Sequence, residues 1–296
     1  MDSALLTVGL PIALAVIMFG LGLSLTLADF RRVAQHPKAV AVALVVQVVL
    51  LPIVAFFLIK LFGLTAGLAV GMMILAASPG GTTANLYSHL FHGDVALNIS
   101  LTAINSLLAI VTLPIITNLA LGYFGTGEDG IGMQVDKLVQ VFAIVLIPVA
   151  IGMFVRSRWP QFAARMDKPV RIASAVLLAL VVIGAILGER ENILDYIVQV
   201  GAITSLFCIL SLGIGYAVPR LLGLSEPQAI ASSFEIGIHN STLAIAMAVT
   251  VLQSTEMAVP GALYGVIMFF IAAAFGFLFI RGRGTRDAEG LSEAVH

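Results

Sequence analysis

Ser232-Ser233-Phe234-Glu235-Ile236-Gly237-Ile238-His239-Asn240-Ser241-Thr242 sits between two apolar, helix-forming runs, one from Val198 onward and one over Leu243–Leu252. The whole chain is 60% hydrophobic and only 10% charged, with a mean hydropathy of +1.08, so most of it belongs in lipid. The quoted stretch therefore lies at membrane depth, yet it carries a carboxylate, an imidazole, an amide and four hydroxyls. A carboxylate at the middle of a bilayer costs about 2.5–3.5 kcal/mol on insertion scales. No Lys or Arg stands nearby to offset it, and a bound cation is the simplest compensation. Asn, Ser and Thr in the same stretch have a blander use, as helix–helix hydrogen bonds.

Outward from this stretch, apolar segments near the bilayer-spanning length recur along the chain. The predicted spans are about 4–27, 39–62, 65–90, 95–121, 138–155, 169–187, 196–218, 228–252 and 259–280. The first is read as a retained helix, because its leading residues carry Asp2 and no Lys or Arg, unlike a signal peptide. The fold class is thus an all-α polytopic membrane protein with nine helices, forming one transmembrane unit over 1–281. Residues 282–296 form a polar tail expected to be disordered. Arg31, Arg32, Lys38, Arg156, Arg158, Arg165, Lys168, Arg171, Arg220, Arg281, Arg283 and Arg286 fall on one side of this arrangement. Only Lys60, Lys137 and Arg190 fall on the other. The positive-inside rule makes the first side cytoplasmic, with the N-terminus outside and the C-terminus inside.

The third span is interrupted by Ser78-Pro79-Gly80-Gly81-Thr82-Thr83-Ala84-Asn85, and the eighth holds Gly237 beside its polar cluster. Each stands third in a run of four spans, and the fifth span gives the two runs opposite orientation. That is the pattern of an inverted repeat whose broken helices cross near the midplane and build a binding site. Unwound backbone there offers carbonyl oxygens to cations, and half-helix N-termini offer N–H groups to anions. Gly63, Gly67 and Gly71, at four-residue spacing, predict a smooth face for close packing. The single Cys208 excludes an intramolecular disulfide and reads as a packing residue. No phosphate loop, dinucleotide fingerprint or zinc-binding His-Glu-x-x-His is present, and no basic run suggests nucleic acid. The Ser, His and Glu neighbours lack hydrolase-motif spacing, so an intramembrane hydrolase is the weakest reading and the chain is not expected to be an enzyme.

Ala77-Ser78-Pro79-Gly80-Gly81-Thr82-Thr83-Ala84-Asn85, then Gly93-Asp94-Val95-Ala96-Leu97, then Glu235-Ile236-Gly237-Ile238-His239-Asn240 together resemble the bile acid:sodium symporter family. Met18-Phe19-Gly20-Leu21-Gly22-Leu23 and Pro260-Gly261-Ala262-Leu263 fit the same resemblance, which covers nearly the whole chain. It implies a bacterial-type, nine-helix member in the cell membrane that carries a small organic anion with sodium by alternating access. No obligate protein partner is implied. A panel (4–27 and 138–187) would stand beside a core (39–121 and 196–280).

The resemblance also implies two sodium ions behind the helix crossing. The first would bind Asn85, Asn98, Thr102 and Glu235. The second would bind Gln47, Glu235, backbone oxygens around Ile236 and Ile238, and the side chain of His239. Thr82, Thr83, Asn240 and Ser241 would face the substrate. The chain departs from the family at Ala84 and Asn98, where members offer serine hydroxyls, and at His239, where they offer a glutamine. An imidazole nitrogen is a poor ligand for a hard cation and titrates near neutrality. The main alternative is therefore a proton-coupled or exporting carrier that uses Glu235 and His239 as its proton site.

Overall fold

The computed structural model describes residues 15–16, 18–20, 22–23, 36–81, 83–125, 135–166, 168–170, 172–173, 176 and 193–293, with side chains described except in 135–146, 193–197 and 280–293. Regular structure among these residues is helical, apart from one isolated antiparallel bridge between Gly80 and His239. The predicted spans 4–27 and 169–187 fall mostly outside the described residues. Among the described residues, four stretches are long and apolar enough to cross a membrane: Pro37–Phe62, Val95–Phe124, Val198–Leu221 and Glu256–Phe279. The protein is an all-α polytopic membrane protein.

Helix α1 (Pro37–Phe62) starts with proline in its first turn, where a missing N–H costs nothing, and stops at Gly63, whose φ of 64° is left-handed. Gly63 thus terminates a helix, and a Cβ there would meet open space, so it is not part of the predicted packing face. The helix widens into a π turn over Val46–Leu50, just ahead of Pro52. Proline removes an N–H and crowds the carbonyl four residues back, and a wider turn relieves both problems. Gln47 lies in that turn and is buried.

Helix α2 (Ala66–Ala77) is buried on every side from Gly67 onward and ends where Ser78, preceding Pro79, becomes extended. Its 12 residues reach about 18 Å, well short of a ~30 Å hydrocarbon core, so the chain completes the crossing through α3 (Thr83–Leu90). Helices α4 (Val95–Phe124), capped by the Asp94 side chain on Leu97 N–H, and α5 (Val135–Arg158) follow. Helix α6 (Ile193–Leu221) leads to the second broken pair, α7 (Glu226–Gly237) and α8 (Ser241–Val251). The last helix, α9 (Val259–Glu293), runs past the expected boundary at 280 and through most of the tail expected to be disordered. No proline follows Pro260 to stop it.

Helix α6 packs on α7 and α9, and α2 packs on α1 and α4, so the first half of each broken pair lies against continuous helices. Gly67 and Gly71 do serve close approach: a Cβ on either would collide with Glu256 or with the Met257 carbonyl. Thr65 Oγ1 donates to Glu256 Oε1 at 2.7 Å, tying the start of α2 to the turn before α9.

Candidate functional site at the helix crossing

The two broken pairs meet at their gaps. Gly81 N–H donates to the Ile238 carbonyl and Asn240 N–H donates to the Pro79 carbonyl, each at 2.8 Å. The Gly80–His239 bridge therefore consists of unwound backbone inside the bundle, the one setting in which non-helical backbone is tolerated at membrane depth. The C-terminal ends of α2 and α7 and the N-terminal ends of α3 and α8 converge on it. Carbonyl dipoles and N–H dipoles thus face the same region from opposite sides.

Glu235, two residues before the end of α7, has no solvent exposure. Thr102 Oγ1 donates to its Oε2 at 2.5 Å, Asn105 Nδ2 donates to its Oε1 at 3.0 Å, and the Gly80 N–H faces the same carboxylate. All three partners are neutral, so hydrogen bonds hold the carboxylate without cancelling its charge. A Cβ on Gly80 would overlap the carboxylate itself. Glycine is required there by close approach, and its φ is not left-handed.

Three α4 side chains at spacing i, i+4 and i+7 face this point: Asn98, Thr102 and Asn105. Asn98 Nδ2 lies 2.6 Å from Ser88 Oγ and 3.0 Å from the Ala231 carbonyl, fastening α3 and α7 to α4. Its Oδ1 is 3.4 Å from Thr102 Oγ1, and the Asn98 carbonyl, 3.0 Å from that hydroxyl, is an alternative acceptor for its single hydrogen. Asn105 is the residue that sequence reasoning left unassigned. Its position three residues beyond Thr102 and seven beyond Asn98 was the available signal.

Gln47 Nε2 and His239 Nδ1 converge on one acceptor, the Ser78 carbonyl, at 2.9 Å and 3.1 Å. A carbonyl only accepts, so Nδ1 carries the hydrogen and Nε2 presents a lone pair. The imidazole stacks on Phe207 at 5.4 Å and meets Tyr264 edge-on at 5.3 Å. Tyr264 Oη donates to the Gly237 carbonyl at 2.7 Å, with Cys208 Sγ 3.9 Å from the same oxygen, in keeping with a packing role for the cysteine. Ile236 is buried, and the Ile238 carbonyl already accepts one bond, from Gly81.

Several buried acceptors have no hydrogen-bond partner: Gln47 Oε1, Asn85 Oδ1, Asn105 Oδ1 and His239 Nε2. Such atoms are costly in a low-dielectric interior unless something binds them. Three of these four are amide oxygens, a ligand type suited to a hard cation, and one of them belongs to Asn105, whose Nδ2 bonds Glu235. Among the described residues, no three His, Cys, Asp or Glu side chains converge on one point. Of the expected substrate-facing residues, Thr83 opens α3 and Asn240 caps α8 by accepting from Leu243 N–H at 3.0 Å. Ser241 Oγ is buried without a partner, and Thr82 lies outside the described residues.

Comparison with known proteins points the same way. Residues 11–196, more than half of the chain, match the Sodium Bile acid symporter family. An uncharacterized sodium-dependent transporter of Bacillus subtilis, YocS, is 31% identical over 262 residues, 87% of this chain and 78% of that protein. A probable sodium/metabolite cotransporter of Arabidopsis thaliana chloroplasts, BASS1, is 30% identical over 86% of this chain and 62% of its own length. The human ileal sodium/bile acid cotransporter is 29% identical over 81% of this chain and 69% of its own length. The chain belongs to the sodium bile acid symporter family, a family of membrane transporters.

Proposed function

We propose that the protein is a sodium-coupled symporter that carries a small organic anion inward by alternating access. Burial of Glu235 at the crossing, with only neutral partners, one of them Asn105 with an unpartnered amide oxygen, is the observation that carries this reading. Sodium entering this site supplies the charge the carboxylate lacks. In the proposed first site, Asn85, Asn98 and Thr102 share the ion with Glu235. In the second, Gln47, Glu235, His239 and the backbone at Ile236 and Ile238 would hold another ion more weakly, since an imidazole nitrogen is a poor ligand for a hard cation.

Bound sodium would draw the two gaps together and fix the starts of α3 and α8, whose N–H dipoles then face the anion beside Thr82, Thr83, Asn240 and Ser241. The core (39–121 and 196–280) would move against the panel (4–27 and 138–187) to change which face is open. Positive-inside charge puts the C-terminus in the cytoplasm, with the protein in the bacterial inner membrane. The printed names of the relatives, sodium-dependent transporters and sodium cotransporters, support the coupling ion.

A test is thermal stabilisation of purified protein across a panel of organic anions, in sodium and in equimolar potassium. The proposal expects an anion that stabilises only when sodium is present. Equal stabilisation in both salts would count against the coupling.

A further inference from the structure

Away from the crossing, at the end of the bundle where α1 finishes, a cavity of about 490 Å³ opens between α1, α2 and α4. Its walls are mostly apolar, with Phe56, Met73, Leu119, Tyr123 and Phe124, and Asn118 is the one amide among them. Leu119 is 65% and Tyr123 58% exposed, and Phe57 and Leu61 on α1 are exposed too, so in a membrane-embedded bundle the recess opens toward lipid. An apolar recess facing lipid fills with hydrocarbon, so its occupant is an acyl chain unless another helix covers it.

The mouth carries a charge. Lys60, in the last turn of α1, holds its Nζ 4.8 Å from the centre of the Tyr123 ring and 6.0 Å from that of Phe124, both of them cavity walls. It has no carboxylate partner among the described residues. Cation–π contact and the α1 C-terminal dipole fix the ammonium at this spot and leave its charge available. Phe56, Tyr123 and Phe124 pack on one another at centroid distances of 4.9–5.7 Å, giving the recess an aromatic rim of the kind enriched at membrane–water interfaces.

We propose that this recess binds one acyl chain of an anionic phospholipid whose phosphate pairs with Lys60. A zwitterionic lipid presents the same chain, but its own cation repels the ammonium. The inference does not depend on what the crossing transports.

The test uses the full chain in nanodiscs, with Trp159→Phe removing the native tryptophan and Phe56→Trp placing a reporter in the recess wall. Quenching is titrated with phosphatidylglycerol or phosphatidylcholine carrying identical brominated chains. Half-maximal quenching is expected at about a fivefold lower mole fraction of phosphatidylglycerol, the effect of about 1 kcal/mol for one basic residue near a membrane surface. Lys60→Gln, an exposed substitution compatible with folding, should make the two curves coincide. Leu119→Trp is a second reporter should Phe56→Trp disturb packing. Identical curves in the parent overturn the proposal, as does a preference that survives Lys60→Gln. Absence of quenching in both lipids would mean that protein covers the recess, and displacement of the brominated lipid by a free organic anion would make it a transport subsite. Each of these outcomes also overturns the proposal.

Discussion

Glu235→Gln keeps the shape of the side chain and removes its charge. In the native site, Oε1 accepts from Asn105 Nδ2 at 3.0 Å and Oε2 accepts from Thr102 Oγ1 at 2.5 Å. The glutamine oxygen can keep the bond from Asn105 while its NH2 turns to Thr102. The threonine hydrogen then goes to the Asn98 carbonyl, 3.0 Å away, so the hydroxyl can accept, and the Gly80 N–H can turn to the retained amide oxygen. Folding should therefore survive. Without sodium the variant should melt no earlier than the wild type, because an uncompensated buried charge costs several kcal/mol and the amide does not. Sodium binding should not survive. Unit charges about 4 Å apart at an effective dielectric of about 20 interact by about 4 kcal/mol, close to a thousandfold in affinity. The assay pairs sodium titration of the melting temperature with sodium-driven uptake in proteoliposomes. The variant should show neither response in any practicable salt range. Near-normal sodium-driven uptake by Glu235→Gln would refute the assignment.

Further tests divide the site. Gly80→Ala pushes a methyl into the Glu235 carboxylate and should abolish the sodium response, with a loss on the order of 1–3 kcal/mol in stability. Gly81→Ala, whose new carbon meets nothing nearer than 3.5 Å, should behave as wild type in the same melts. Asn240→Asp retains the cap on Leu243 N–H and adds a negative charge where the anion is proposed to sit. Anion affinity should fall at least about tenfold while sodium affinity holds or rises, and the reverse pattern in binding titrations would put Asn240 on the cation side. His239→Gln can keep a donor to the Ser78 carbonyl and add an amide oxygen. The sodium dependence of uptake should then steepen from a Hill coefficient of about one toward two. An unchanged slope would mean that residue 239 does not limit the second site.

Much of the crossing was readable from residue type alone. Glu235 announces itself because a carboxylate inside an apolar run demands a partner. Pro79-Gly80-Gly81 marks a helix break because proline and paired glycines cannot continue one cheaply. Asn98 and Thr102 share a helical face by spacing. What escaped depends on contacts between positions far apart in sequence. Asn105 is one polar residue among several on α4 until folding brings it to Glu235, 130 positions away. Gly80 reads as a turn glycine, whereas the carboxylate packed against it is what forbids a side chain. The convergence of Gln47 and His239 on the Ser78 carbonyl could not be foreseen, since backbone acceptors look alike in a sequence. The π turns at Val46–Leu50 and Met247–Val251 also lack a local signature beyond the nearby Pro52 of the first. The end of α9 lies beyond the expected boundary at 280 because no proline after Pro260 forces the helix to stop, and a polar composition by itself carries no stop signal.

The central claim is that movement of the anion is coupled to sodium at the Glu235 crossing. Its most direct test is simultaneous measurement of radioactive sodium and labelled anion entering proteoliposomes of purified protein, using the anion selected by the stabilisation screen. The account predicts that the two fluxes rise together in a fixed ratio under an inward sodium gradient, that neither occurs with potassium alone, and that Glu235→Gln abolishes both. Anion uptake that is equally fast in potassium, or sodium entry unaffected by the anion, would contradict it.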